Sequence, residues 1–303
     1  METVITENHV DKSQSDQSKQ NSISVNAAVI CHKGCVRENN EDNFFFDGDL
    51  MQDDTVNEGA LIRANVKQDF HLFAVCDGMG GLKCGERASS IGVHAMGPLN
   101  TYLPKNAVQR AIEVYAQETS SKVFADSLRI NEPGKEGTTL AVLYLADGVA
   151  HVGNVGDSRV YLLRLGKLFQ LSQDQSMVYS MMLRGELNRE QMRKHPQGNI
   201  ISAYLGREES RRPKPFSAYF SCRACKNDRF MLCSDGLSDL LTHEEIQRKL
   251  IDVDDPVLAV RQLVLRALEM GGKDNTTCMV IDVSGPMLGE PNTADRSLLS
   301  RDR

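Results

Sequence analysis

Several signatures are missing from this sequence, and each absence removes a class of function. There is no basic excess, since 35 lysines and arginines face 41 aspartates and glutamates for a net charge of −6. A nucleic-acid-binding surface announces itself as a basic patch, so no nucleic-acid partner is expected. No apolar run reaches ten residues, whereas a membrane-crossing helix needs about 20. The first 22 residues are polar and lack the apolar core of a secretory signal. The expectation is a cytoplasmic protein with no membrane contact, whose eight cysteines are free thiols in a reducing compartment. A zinc site is also missing its second half. Cys222-x-x-Cys225 has no matching CxxC, and Cys31-x-x-x-Cys35 is more loosely spaced, so these read as incidental thiols.

What is present is a dense alternation of strands and helices in a chain of 303 residues. Short β-branched or aromatic runs predict strands over 23–31, 43–46, 70–76, 139–145, 149–155, 158–164, 229–234 and 276–283. Asp147-Gly148 and Leu165-Gly166 are tight turns, and 139–171 reads as an antiparallel meander. No helix fits between those strands, which argues against a parallel doubly wound sheet. Helical periodicity covers 84–97, 104–129 and 255–269, with shorter helices at 176–184 and 243–250. Asp255 and Pro256 form the start of the third, and Gly271-Gly272 stop it. Segment 172–215 is polar and rich in Met and Arg, and reads as an excursion beside the sheets, a flap. Segment 47–69 reads as a solvated loop, and 1–22 and 285–303 as disordered tails around a domain at 23–284.

The chemistry lies in acids at strand ends. Glu41-Asp42 precede Phe44-Phe45-Phe46, Asp77 follows Phe70–Cys76, Asp235 follows Phe230–Ser234, and Asp274 precedes Asn275-Thr276-Thr277. A single Asp-Gly after a strand is an ordinary turn signal; its recurrence over 200 residues is not. Carboxylates at such positions are desolvated at a cost unless a positive charge meets them. No matching lysines or arginines lie beside them in sequence. Divalent metal is the simplest counter-charge, and hard oxygen ligands favour Mg²⁺ or Mn²⁺. Asp77 can bridge two ions, with the Gly78 carbonyl as a further ligand, while Gly78, Gly80 and Gly81 let the backbone close around them. Two close metals hold a water with a lowered pKa and polarise a phosphoryl oxygen. Arg37, four residues before Glu41, is the candidate to position a phosphate.

These residues resemble the PP2C-type metal-dependent protein serine/threonine phosphatases in their bacterial form. The resemblance runs over about 23–284 and rests on six segments in family order. They are Val36-Arg37-Glu38-Asn39-Asn40-Glu41-Asp42, Val75-Cys76-Asp77-Gly78-Met79-Gly80-Gly81, Gly137-Thr138-Thr139, Val155-Gly156-Asp157-Ser158-Arg159, Cys233-Ser234-Asp235-Gly236-Leu237 and Lys273-Asp274-Asn275-Thr276-Thr277. It implies an α+β fold, a four-layer α/β/β/α sandwich of two antiparallel sheets flanked by helices. It implies that Asp77, Gly78 and Glu41 hold one core ion, and that Asp77, Asp235 and Asp274 hold the other. Asp42 would hold a water belonging to that centre, and Asp157 with Asp235 would form a weaker third site. Arg37 would bind the substrate phosphate. The cofactor would be Mn²⁺ or Mg²⁺. The partners would be phosphorylated proteins, including a Ser/Thr kinase and its substrates, and the chain would act as a monomer. Met79 stands where animal members carry a proposed histidine acid, so the proton donor is unassigned; metal-bound water is the leading candidate and His195 a weaker one. Asp174-Gln175-Ser176 replaces the usual Asp-His-Ser in the flap. A catalytically silent phosphoprotein-binding module and a hydrolase of small phosphates are the alternative readings.

Overall fold

The computed structural model describes residues 22–50, 60–79, 84–130, 136–213, 216–292 and 298. Thirteen strands and seven α-helices follow one another in chain order. The strands are β1 (Ile23–His32), β2 (Asp42–Phe46), β3 (Asp49–Leu50), β4 (Ala60–Gln68), β5 (Phe70–Met79), β6 (Gly137–Thr138), β7 (Leu140–Ala146), β8 (Val149–Val155), β9 (Arg159–Arg164), β10 (Lys167–Gln170), β11 (Ala218–Arg223), β12 (Arg229–Cys233) and β13 (Thr276–Ser284). The helices are α1 (Cys84–His94), α2 (Val108–Arg129), α3 (Met177–Leu183), α4 (Arg189–Arg193), α5 (Asp235–Ser238), α6 (His243–Asp252) and α7 (Pro256–Glu269).

They build two antiparallel sheets. One runs β10-β9-β12-β13-β1-β4 and the other β11-β8-β7-β5-β2-β3, with β6 attached to β5. The period-2 alternation of side chains explains the layering. Along β1, Val25, Ala27, Val29 and Cys31 point into a core shared with Phe44, Phe46, Phe73, Val75 and Leu143 of the opposite sheet. Ala28 and Ile30 point the other way, onto Ile246, Leu250, Val260, Leu263 and Val264 of α6 and α7. On the second sheet Phe45, Leu72, Ala74 and Cys76 face outward against Val93, Ile112, Tyr115 and Ala116 of α1 and α2. Both sheets are therefore covered on both faces, and the four-layer sandwich expected from the sequence is the observed fold.

Turn chemistry fixes the meander. Asp147 and Gly148 both have positive φ (51° and 67°), as do Leu165 and Gly166 (52° and 74°), which matches the two-residue hairpin twist. Asp255 caps α7 by accepting from the Leu258 N–H at 3.0 Å, with Pro256 in the first turn.

Several expectations are corrected. The stretch 47–69 is not simply a loop, because 49–50 pairs with β2 and 60–68 is an edge strand on β1. In this strand Ile62, Ala64 and Val66 are half-buried between exposed Arg63, Asn65 and Lys67. Charged outer positions of this kind protect a sheet edge. Strand β11 also lacked a sequence signal, because four of its six residues are only half-buried. Helix α2 starts at Val108 rather than at Pro104, whose carbonyl instead closes a turn to the Ala107 N–H. The expected tail at 285–303 is ordered in part. Leu288 and Leu298 are buried in the central core, and Gly289 pairs with Cys225, because apolar side chains close the open end of the sandwich. The expected tail at 1–22 lies outside the described residues except for buried Ser22. No disulfide joins any of the eight cysteines, all of which are described. No described helix is long and apolar enough to cross a membrane.

One buried acid gives the fold a pH dependence. Glu136 is fully buried beside β6, and neither carboxyl oxygen receives a hydrogen bond among the described residues. Burial, then the nearby Asp126 carboxylate, pushes Glu136 up to about 7, opposed by Arg87, which is bound to Asp126 at 2.5 Å. A folded-state pKa raised above the unfolded value stabilises the protein below the unfolded value, and that contribution is lost as pH rises through about 7. Melting temperatures of the wild type and E136Q, compared from pH 5 to 8.5, should diverge in favour of the variant as pH rises through 7. A constant difference would contradict this account.

Candidate metal centre

The sandwich delivers the acids to one rim because β2, β5, β8, β12 and β13 all end or begin there. Asp42 on β2 is the register partner of Asp77 on β5. The Gly78 N–H bonds the Glu41 carbonyl at 3.1 Å, so the two segments are tied just where their acids stand. Asp157 follows β8 in the Gly156-Asp157 turn, Asp235 opens α5 immediately after β12, and Asp274 immediately precedes β13.

Close backbone approach requires glycine at this rim. A Cβ on Gly78 would overlap the carbonyl oxygens of Gly85 and Glu41, and one on Gly85 would lie 2.7 Å from the Glu41 carboxyl carbon. A Cβ on Gly236 would collide with the Asn275 carbonyl. These glycines thus set how near the acid-bearing segments come. Gly80 and Gly81 lie outside the described residues.

Asp42 lies deepest and is buried. Its Oδ2 accepts from the Ser234 and Thr277 hydroxyls, both at 2.7 Å, while its Oδ1 has no partner. Above it Glu41, Asp77, Asp157, Asp235 and Asp274 are half-buried and open toward solvent. Arg37 is exposed at the mouth and its Nη2 bonds Asp274 Oδ2 at 2.7 Å.

The electrostatics show that these acids share one field. Burial raises Asp77 well above the usual carboxylate range, and Asp235, Asp42, Asp157 and Asp274 push it further. Asp235 is raised in the same way by burial, then by Asp157, Asp239, Asp274 and Asp42. Burial pushes Asp157 up to about 7, with Asp174 and Asp239 adding and Arg159 opposing. Asp42 is also pushed up to about 7 by burial, against the two hydroxyl bonds that lower it. Among the described residues no three Asp, Glu, His or Cys side chains close into a common ligating cluster. Carboxylates with no cation between them repel, and Asp274 is engaged by Arg37 instead. The donor set nevertheless fits a hard divalent ion. It consists of oxygen ligands only, it includes a buried carboxylate oxygen with no partner, and Arg37 bonds one of its six acids.

The structure brings together every acid singled out in the sequence, with Arg37 at their edge. Sequence reasoning missed the residues that hold them. Asn275 accepts from the Glu41 N–H at 2.8 Å and donates to the carbonyls of Lys33 and Asn39 at 2.9 and 2.8 Å, locking the Arg37-bearing loop to the start of β13. Thr139 accepts from the Asp77 N–H at 3.0 Å, and Thr138 donates to the Asp77 carbonyl at 3.0 Å. Asp239, one helical turn after Asp235, is a further acid in the field. That i, i+4 spacing was visible in the sequence. His195 lies at the end of α4, where its Nδ1 accepts from the Gln197 N–H at 3.2 Å.

A two-sheet sandwich carrying an acidic oxygen centre at one rim defines the class of protein. The protein phosphatase 2C family model matches residues 47–268, and the chain belongs to that family of protein serine/threonine phosphatases. Arg37, Glu41, Asp42 and Asp274 lie outside that span, so their place in the centre comes from the coordinates. The serine/threonine protein phosphatase PstP of Mycobacterium tuberculosis is 33% identical over 229 residues, which is 74% of this chain but 43% of PstP. The chain thus spans less than half the length of that relative. The serine/threonine phosphatase stp of Listeria monocytogenes is 28% identical over 254 residues, covering 82% of this chain and 92% of stp. A solved structure of the PstP catalytic domain in complex with two manganese ions superposes with a TM-score of 0.70 at 27% identity, covering 86% of this chain and 99% of that one.

The scaffold makes a direct prediction. N275A removes three hydrogen bonds from a buried side chain and should destabilise the protein by about 1–3 kcal/mol, measured by urea unfolding. A change within about 0.5 kcal/mol, the range of an ordinary surface substitution, would mean that the Arg37 loop is held by something else.

Proposed function

We propose that this chain is a metal-dependent protein phosphatase that hydrolyses phosphoserine and phosphothreonine in proteins. The observation that carries the reading is the convergence of six acids from five separate chain segments on one rim, with Arg37 at its mouth. Asp77, the Gly78 carbonyl, Glu41, Asp235 and Asp274 would hold two Mn²⁺ or Mg²⁺ ions, and Asp157 with Asp235 a weaker third. When bound, such a pair of ions supplies hydroxide at neutral pH and polarises a phosphoryl oxygen.

The chain's own residues do the rest. Asp42, fixed by Ser234 and Thr277, keeps one free carboxylate oxygen beneath the centre to accept from and orient a water. Arg37 is exposed and beside Asp274, so its guanidinium fork faces an incoming phosphate and fixes its orientation. Glycines 78, 85 and 236 keep the acid-bearing backbones close enough to act on one group. The chain would act on phosphoproteins, with a Ser/Thr kinase and its targets as the matching partners.

Turnover of an aryl phosphate and of a phosphothreonine peptide with added Mn²⁺ tests this reading, and exhaustive chelation should abolish both. D235N should lower turnover by more than about a hundredfold, beyond the roughly 10–100-fold that loss of an outer partner of a metal site costs, while the fold persists. R37A should raise KM about tenfold with a smaller change in kcat, because it removes a charge-assisted positioning contact. Activity that survives chelation would overturn the proposal. Binding of the peptide without any turnover would favour a silent phosphoprotein-binding module.

A further inference from the structure

The flap leaves the sheets after β10 and returns at β11, and its two ends meet at one side chain. Gln175 stands at the entrance, and its backbone and amide groups are all engaged. Its N–H donates to the Gly156 carbonyl at 2.9 Å, and its Oε1 accepts from the Gly156 N–H at 2.9 Å. Its Nε2 donates to the carbonyl of Phe216, at the flap's exit, at 3.0 Å. Its carbonyl accepts from the Ser202 N–H at 2.7 Å and from the Ser202 hydroxyl at 2.9 Å. One residue therefore bonds to three segments: the flap's middle, its exit, and the turn that carries Asp157.

Neighbouring contacts support the same junction: Ser176 bridges Ile201, the Met177 N–H donates to the Ile200 carbonyl at 2.9 Å, and Ala218 pairs with Asn154 where β11 meets β8. Asp174 forms a forked pair with Arg159, with bonds of 3.0 and 2.6 Å to one oxygen. Asn154 exchanges two bonds with the backbone of Gln173, at 2.7 and 3.1 Å. These hold the strand leading into the flap. Among the described residues, Gln175 is the one whose side chain bonds both Gly156 and Phe216. The foot of the flap meanwhile pairs with β6 through Leu205 and Thr138, beside Gly78.

We propose that Gln175 is a positioning residue that fixes the flap over the acidic rim and so sets the affinity for protein substrates. The role rests on the phosphatase reading above and deepens it. A protein substrate would extend past the phosphate toward the flap, whose foot pairs with Thr138 beside Gly78, whereas a small aryl phosphate would not. The clasp requires one acceptor and one donor at fixed positions. A methionine offers neither. A glutamate keeps the acceptor for Gly156 but cannot donate to Phe216. A neutral histidine offers one of each on opposite ring nitrogens.

The test uses the full chain as Q175M, Q175E and Q175H. Loss of one net hydrogen bond is worth roughly fivefold in an equilibrium. Q175M should raise KM for a phosphothreonine peptide about fivefold or more while leaving kcat for an aryl phosphate with Mn²⁺ within about twofold. Trypsin cleavage within the flap, at exposed Arg184 and Lys194, should accelerate by a similar factor. Q175E should behave like Q175M, and Q175H should restore both readouts. Unchanged cleavage and unchanged peptide KM in Q175M would overturn the proposal. A parallel fall of both activities with the melting temperature would also overturn it, by marking Gln175 as merely structural. If the wild type turned over neither substrate, the phosphatase reading would fail, and the cleavage rates alone would still decide whether Gln175 clasps the flap.

Discussion

The mutual repulsion of carboxylates held at one rim is the constraint on which the rest of this structure depends. Asp42, Asp77, Asp157 and Asp235 all sit where burial and one another's charge disfavour ionisation. Left to themselves such groups would separate into water. They stay together because each is attached to a strand end whose position is set by the cores on either side of it. Burial of Phe44, Phe73, Phe230 and their neighbours supplies the opposing free energy. The unfavourable arrangement at the rim is thus a property of the sandwich rather than of any local bond.

A layer of neutral donors and acceptors then refines what the sheets impose. Asn275 joins the Arg37 loop to β13, Ser234 and Thr277 orient Asp42, and Thr138 and Thr139 pin the backbone of Asp77. None of these groups adds charge. They fix positions without relieving the repulsion. Arg37 stands at the mouth, and its bond to Asp274 spans 237 residues of sequence.

The flap obeys a different logic. It adds no strand to either sheet, and its own helices α3 and α4 are short. Ala203, Leu205 and Phe216 return to the core beneath α2, so its foot is anchored by burial and its remainder by polar contacts such as those of Gln175. Met79 belongs to the same junction, since a Cβ on Gly137 would approach both the Met79 methyl and the Tyr204 ring. The residue in the place of the expected proton donor therefore packs where the flap, β5 and β6 meet.

The order and type of most elements were legible in the sequence because they rest on local chemistry: alternation at the start of β1, the short apolar run of β7, the Asp-Gly turn at 147–148, and the Asp255-Pro256 start of α7. The acids were legible too, because a carboxylate ending an apolar run is anomalous wherever it occurs. Edge elements were harder to read. Strand β4 alternates apolar with polar residues and β11 is half-buried, so their pairing depends on a neighbour that only the folded sheet provides. The ordering of 285–292 likewise depends on a vacancy at the end of the core that Leu288 fills. Hydrogen-bond partners separated by scores of residues, such as Asn275 with Lys33 or Gln175 with Phe216, have no local signal at all. The sequence alone determined which groups could do the chemistry, since side-chain type is written there directly. Only the tertiary structure decided how near they stand and what holds them, because those distances follow from the packing of two sheets that no single segment contains.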